Sequence, residues 1–162
     1  MRKSIYLSIY LSIYLSIYLS IYLSICVCLN TNAQITTNSQ WTWMKGDSTL
    51  NKNGVYGTKG ISSLFNKPSS RHGATTWTDV TNNFWLFGGI GYDANGLVGY
   101  LNDLWKYNTT TNEWVWISGS NTRAQGGNYG TKGIPSVSNY PGSRYSFFSW
   151  IDASGKFWLF GV

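Results

Sequence analysis

From residue 34 onward the apolar positions fall in short runs, each closed by glycine, asparagine, aspartate or serine, and none shows the 3.6-residue period of an amphipathic helix. Phe84-Trp85-Leu86-Phe87 is uninterrupted, as suits a strand covered on both faces. Asp103-Leu104-Trp105-Lys106-Tyr107 and Glu113-Trp114-Val115-Trp116-Ile117 carry the aromatic and β-branched residues that pleated surfaces favour. The pattern predicts four strands, His72–Thr78, Asn83–Phe87, Asp103–Tyr107 and Glu113–Ile117, separated by turn-formers. The fold class is therefore all-β.

Residues 1–33 read differently. Arg2 and Lys3 precede an uncharged stretch from Ser4 to Leu29, and Thr31-Asn32-Ala33 places a small residue before Gln34, the layout of a secretory signal peptide cleaved after Ala33. The apolar stretch is also long enough to span a bilayer, so a retained signal anchor is the rival reading. Within it Ser-Ile-Tyr-Leu occurs five times in tandem from Ser4 to Leu23, a pattern that fixes no conformation and is assigned no function. Cys26 and Cys28 both lie in this leader, so the segment 34–162 can form no disulfide framework.

The segment 34–162 contains a duplication. Aligned without a gap at an offset of 73, residues 40–89 and 113–162 share 23 of 50 positions, far beyond chance. Tyr56-Gly57-Thr58-Lys59-Gly60-Ile61 returns as Tyr129-Gly130-Thr131-Lys132-Gly133-Ile134, and Phe84–Gly88 as Phe157–Gly161. Arg71 matches Arg144, Trp77 matches Trp150 and Asp79 matches Asp152. Trp41–Met44 matches Trp114–Ile117, which makes it a fourth strand with no first three before it.

Charge narrows the partners. Ten Lys and Arg against six Asp and Glu after residue 33 leave a net charge of +4, with the basic residues spread through the sequence. No cluster tracks a phosphate backbone, so nucleic acid is not expected as a partner, and a membrane is expected only through an uncleaved leader. All nine tryptophans lie in this segment, which points to a rigid core of packed rings.

Gly88-Gly89 after an apolar strand, then Asp103–Tyr107, then Trp114, resembles the kelch motif. The resemblance covers about residues 40–162 and implies a kelch-type β-propeller like the central domain of galactose oxidases. Here it would be incomplete, with one full four-stranded blade plus parts of two others. Propellers close with roughly 4–8 blades, so the chain reads as a piece of a longer protein. In such a ring Trp41–Met44 would close the last blade.

In an antiparallel blade, connections alternate between two faces. The turns Asp79–Asn82 and Asn108–Asn112 are short, while Gly88–Asn102, Ser118–Arg144 and its counterpart Lys45–Arg71 are long and emerge on one face. One-sided loops on a rigid scaffold suggest a binding face. Its candidate contacts are Tyr56, Lys59, Tyr92, Asp93, Tyr100, Arg123, Tyr129 and Lys132. The hexapeptide repeated in both loops fits loop-pinning better than ligand contact, whereas Tyr92, Asp93 and Arg123 are unrepeated and freer to specialise. Gly88 and Gly89 are read as backbone devices, Tyr107 and Trp114 as packing between blades, and Arg71/Arg144 and Asp79/Asp152 as repeated polar anchors.

The resemblance brings two enzymatic precedents. Copper-radical oxidases use tyrosines, histidines and a cysteine cross-linked to tyrosine, but residues 34–162 contain no cysteine and only His72, replaced by Tyr145 in the other copy. Sugar-ring isomerases of the sialic acid type are also kelch propellers, yet a shared fold does not carry activity. The segment is thus read as a secreted or surface module, bacterial envelope or extracellular, binding a glycan or protein without catalysis or cofactor. The alternative is part of a carbohydrate-active kelch enzyme whose site lies in other blades.

Overall fold

The computed structural model describes residues 14–18 and 42–161. They belong to two units, Met1–Thr42 and Trp43–Val162. In the first, residues 14–18 form a short exposed helical stretch. Among the described residues no helix is long and apolar enough to cross a membrane. The expected cleavage point after Ala33, both leader cysteines and Trp41 lie outside the described residues.

The second unit is all-β, with several antiparallel sheets, none closed. Strands β1 (Arg71–His72), β2 (Thr75–Thr78), β3 (Phe84–Phe87), β4 (Ile90–Tyr92) and β5 (Val98–Tyr100) are followed by β6 (Leu104–Asn108), β7 (Glu113–Ser118), β8 (Phe148–Ile151) and β9 (Phe157–Phe160). A four-stranded sheet runs β2-β3-β6-β7 in chain order, so the four predicted strands do form one antiparallel sheet. Strands β8 and β9 pair as the counterpart of β2 and β3, shifted by the same 73 residues.

Two features depart from the pattern read from the sequence. The expected strand His72–Thr78 is broken, because Gly73 sits at φ 62° and turns the chain between β1 and β2. The expected loop Gly88–Asn102 contains the hairpin β4-β5, which joins β1 in a separate three-stranded sheet. β1 pairs with β4 in the same register in which β2 pairs with β3. The two sheets are thus one long hairpin bent at Gly73 on one side and Gly88-Gly89 on the other. Gly88 and Gly89 adopt φ 65° and 94°, and a Cβ on Gly89 would stand 2.7 Å from the His72 carbonyl oxygen. No side chain fits at that bend.

Of the segment Trp41–Met44, expected to pair only in a complete ring, the described residues 42–44 carry no strand pairing, and Trp43 and Met44 are exposed. A lone strand without a sheet edge beside it has no ladder to join.

The core sits in two places. Between the repeats, Trp77 stacks on Phe157 at 5.0 Å, Trp85 meets the same ring edge-on and Phe87 meets Phe147. Within the sheet, Trp105 is wholly buried against Tyr56 and Trp114, and Phe84, Tyr107 and Trp114 stand side by side across neighbouring strands. Tyr107 and Trp114, expected to pack between blades, make these ring contacts within the one four-stranded sheet, and Trp114 is only half-buried.

The hairpin turns repeat as well. Asp79 Oδ1 accepts bonds from the Thr81 hydroxyl and from the amides of Thr81 and Asn83, while Oδ2 accepts from the Trp85 indole. Asp152 makes the same set with Ser154, Lys156 and Trp158. Partial burial acts to raise the Asp79 pKa, but the Thr81, Trp85 and Asn83 donors outweigh it and hold the carboxyl well below its usual range. Asp152 is held down by the Ser154 hydroxyl first, then the Trp158 indole and the Lys156 amide. A depressed carboxylate stabilises the fold above its unfolded pKa and loses that contribution as the pH falls through the folded value. Stability should therefore decline from about pH 4 downward, and Asp79→Asn with Asp152→Asn should flatten that decline. Equal acid slopes for the two proteins, followed by near-ultraviolet circular dichroism, would remove these turns as its source.

Candidate functional site

Where the loop 45–71 meets the sheet, one carboxylate organises the surroundings. Asp103 and Arg71 form a bidentate pair, with Nη1–Oδ1 at 2.6 Å and Nη2–Oδ2 at 2.7 Å. The Tyr56 hydroxyl and the Trp105 indole both donate to Asp103 Oδ2, at 2.8 and 2.7 Å. The remaining Arg71 hydrogens go to the carbonyls of Ser69 and Gly88 and to the Ser69 hydroxyl. Every donor of the buried guanidinium is thereby satisfied, the condition under which a buried ion pair is tolerated. Burial, and then the Asp103 charge, push the Tyr56 phenol far above its ordinary pKa. Burial opposes the Arg71 charge, but Asp103 more than offsets it and the pKa rises.

This hub holds loop 45–71 along the outer edge of β7. Gly60 N donates to Trp116 O at 2.8 Å, Ser63 bridges Trp114, and Asn66 Nδ2 donates to both Ile61 O and Trp114 O. Lys59 Nζ reaches Gly119 O at 2.8 Å and lies 4.3 Å from the centroid of the Trp116 ring. The edge strand is thus covered by a loop of its own chain, which prevents open-edge pairing.

The end of β7 leads into a cleft. Pairing of β6 with β7 slips by one residue between Leu104 and Trp105, a bulge that turns the strand end away from the sheet. Gly119 follows at φ 81°, and a Cβ there would lie 2.0 Å from Asn102 O. The close approach lets Ser120 N bond Asn102 Oδ1, fixing the loop beside the sheet. The resulting cleft has a volume of about 640 Å³. Its lining includes the aromatic residues Trp116 and Tyr140 and the polar residues Ser118, Asn121, Gln125 and Asn128.

The structure divides the eight sequence-derived candidates into three places. Tyr92, Asp93, Tyr100 and Arg123 gather around the β4-β5 hairpin: Arg123 N donates to Asp93 Oδ2, Ala124 N donates to Tyr100 O, and Tyr100 stacks on Tyr145 at 5.0 Å. The loops 88–102 and 118–144 therefore do meet. Tyr56 and Lys59 belong to the β7 edge, and of these only Lys59 lines the cleft. Tyr129 and Lys132 are exposed in the second copy, with Tyr129 accepting from Arg144 Nη2 at 2.7 Å.

Two candidates are inside the protein. Tyr56 is buried in the hub, and Asp93 is buried as the staple of its turn, accepting from the amides of Asn95 and Leu97. Burial works to raise the Asp93 pKa, but amide donors from Leu97, Arg123 and Asn95 and the Arg123 charge bring it down. Both side chains are engaged by the fold and present no surface to a ligand. The cleft's amide residues were missed by sequence reasoning; the polar run Ser118-Gly119-Ser120-Asn121 was the available signal. Among the described residues no three His, Cys, Asp or Glu side chains stand close enough to hold a metal.

Comparison with known proteins gives a partial likeness. The chain is 40% identical over 48 residues to N-acetylneuraminate epimerase of Escherichia coli K12, a stretch covering 30% of this chain and 13% of that protein. The same figures hold for N-acetylneuraminate epimerase of Shigella sonnei and for N-acetylneuraminate epimerase 2 of Escherichia coli O6:H1. No protein-family model matches the chain, and no solved structure matches it. The chain thus spans about an eighth of the curated relatives it matches, and the finding that stands is a weak, partial similarity to a sialic acid epimerase.

Proposed function

We propose that the chain is part of a secreted or cell-surface kelch-type β-propeller that binds glycan in the cleft beside β7. One observation carries this reading: a cleft within the size range of small-molecule sites, lined by Asn121, Gln125 and Asn128 together with Trp116 and Tyr140. Amides and serine hydroxyls offer both donors and acceptors, matching the alternating hydroxyls of a sugar. Ring faces supply the apolar surface that a pyranose presents on one side. The likeness to proteins named for N-acetylneuraminate supports a carbohydrate over a protein ligand.

The test is saturation-transfer NMR of the chain with N-acetylneuraminate, N-acetylglucosamine and galactose. At least one sugar should receive transfer, and Asn121→Ala with Gln125→Ala should weaken it about tenfold, two hydrogen bonds at roughly 0.5–1.5 kcal/mol each. The unfolding temperature should hold, since both side chains are exposed. Absence of transfer from every sugar, or transfer indifferent to the two replacements, would reject the cleft as a glycan site.

A second reading follows from the same likeness: the chain contributes blades to a carbohydrate-active enzyme whose reacting groups lie elsewhere. Epimer interconversion of N-acetylneuraminate, followed by NMR with this chain and with a chain extended by further repeat units, separates the two: acceleration by the extended chain and not by this one supports the enzyme.

A further inference from the structure

One asparagine is left by the fold open to attack from its own main chain, a property independent of any glycan. Asn-Gly occurs twice, as Asn53-Gly54 in loop 45–71 and as Asn95-Gly96 in the turn between β4 and β5. No Cβ shields the nitrogen that follows an asparagine in this pair, so the side-chain amide and the next main-chain nitrogen can approach closely. Reaction then depends on whether that nitrogen is free.

At Asn95 it is held. Asn95 N and Leu97 N both donate to Asp93 Oδ1, at 2.8 and 2.9 Å, and Gly96 N donates to Asp93 O at 3.2 Å. Asp93 N closes the turn on Leu97 O at 2.9 Å, and Asp93 is buried. The Gly96 amide must give up its bond before it can react.

At Asn53 no such turn exists. The residue is exposed, and among the described residues neither its side-chain amide nor the Gly54 nitrogen takes part in a hydrogen bond. The side chain rests against the Gly96 main chain, where a Cβ would stand 3.3 Å from Asn53 Nδ2. Gly54 is fixed by packing, since a Cβ there would lie 2.7 Å from the Tyr56 ring and 3.3 Å from Ser69 N. The buried tyrosine thus demands the glycine that leaves Asn53 unguarded.

The second copy shows that the loop geometry does not need Asn53. Gly126-Gly127 stands at the matching positions, and a Cβ on Gly127 would meet the Tyr129 ring at the same 2.7 Å. Gln125 N donates to Ser143 Oγ and Ser143 N to Gln125 O, as Lys52 N donates to Ser70 Oγ and Ser70 N to Lys52 O.

We infer that Asn53-Gly54 is a site of self-modification, at which the chain converts Asn53 to aspartate or isoaspartate and loosens loop 45–71. The Gly54 nitrogen loses its proton to base and attacks Asn53 Cγ; the Cγ–Nδ2 bond breaks, and Nδ2 leaves as ammonia with a proton from solvent. Water opens the cyclic imide at either carbonyl, so amide plus water gives acid plus ammonia with no oxidation or reduction. Opening at the main-chain carbonyl leaves isoaspartate, whose main chain runs through the former side chain and is longer by a carbon. That carbon falls between the Lys52–Ser70 bonds and the Val55–Lys67 pair, where Val55 N donates to Lys67 O at 2.9 Å and Lys67 N to Val55 O at 3.0 Å. The two pairings cannot both keep register across a lengthened segment, and the one beside Tyr56 loosens.

The test incubates the full chain at mildly alkaline pH and follows it by peptide mapping with mass spectrometry. Asn53 should convert about tenfold faster than Asn95, which must first free the Gly96 amide, and the difference should vanish in urea. In the isoaspartate form, hydrogen exchange at the Val55 and Lys67 amides should quicken about tenfold. Asn53→Gly, the residue that the second copy carries there, should suppress most ammonia release and leave the Val55 amide protected. Equal conversion of the two asparagines in the folded chain, a difference that persists in urea, or unchanged exchange at Val55 after conversion would overturn the proposal. None of these measurements reads sugar binding, so either inference can fail alone.

Discussion

Replacing Asp103 with alanine is expected to cost about 3–5 kcal/mol, the usual effect of removing one partner from a buried ion pair. That is a large share of the 5–15 kcal/mol that holds a domain folded. The reason is the number of groups stranded at once. Arg71 would keep a charge in a buried site, and the Tyr56 hydroxyl and Trp105 indole would both lose their acceptor. Loop 45–71 would lose its anchor and β7 its cover. Urea unfolding followed by circular dichroism measures the effect, and a change under 1 kcal/mol would show that solvent reaches the pair. Arg71→Met combined with Asp103→Leu should recover part of the loss, because an apolar pair of similar volume strands no charge.

Trp105→Ala should be comparably severe, about 3–5 kcal/mol for a buried aromatic, while Trp114→Ala should cost clearly less. Both are tryptophans on adjacent strands of one sheet, and sequence alone ranks Trp114 as the packing residue because it belongs to the repeated motif. Burial reverses the ranking: Trp105 is fully enclosed and also donates to Asp103, whereas Trp114 stands half-buried at the edge that loop 45–71 covers. Unfolding of the two variants side by side decides it, and equal losses would mean that the β7 edge is as tightly packed as the sheet centre. Because Trp105 and Asp103 share a hydrogen bond, their double replacement should cost less than the two single losses added together.

Some of the site was legible before any coordinates. The contrast between short turns and long loops located the side of the sheet on which loops 88–102 and 118–144 meet, because turn length and strand alternation are local properties. Arg71 and Asp79, read as polar anchors, hold Asp103 and the hairpin turn. The cleft was not legible. It depends on a one-residue slip between β6 and β7 and on backbone contact at Gly119, neither of which leaves a periodic trace. Tyr56 and Asp93 show the limit from the other side: a tyrosine and an aspartate in long loops look available, and only the packing of those loops onto the sheet puts them inside.

By itself the sequence determined the four segments that form the β2-β3-β6-β7 sheet, their antiparallel order and the 73-residue repeat, since these follow from apolar runs, turn residues and self-similarity along the chain. Only the tertiary structure decided that the first strand breaks at Gly73, that a hairpin fills the loop after Gly88-Gly89, and that identical hexapeptides have different surroundings. Tyr56 is buried because β6 and β7 lie against it, and Tyr129 is exposed because no strand among the described residues covers it in that way. A residue's type fixes the bonds it can make, but its role is fixed by the neighbours that the fold brings within reach.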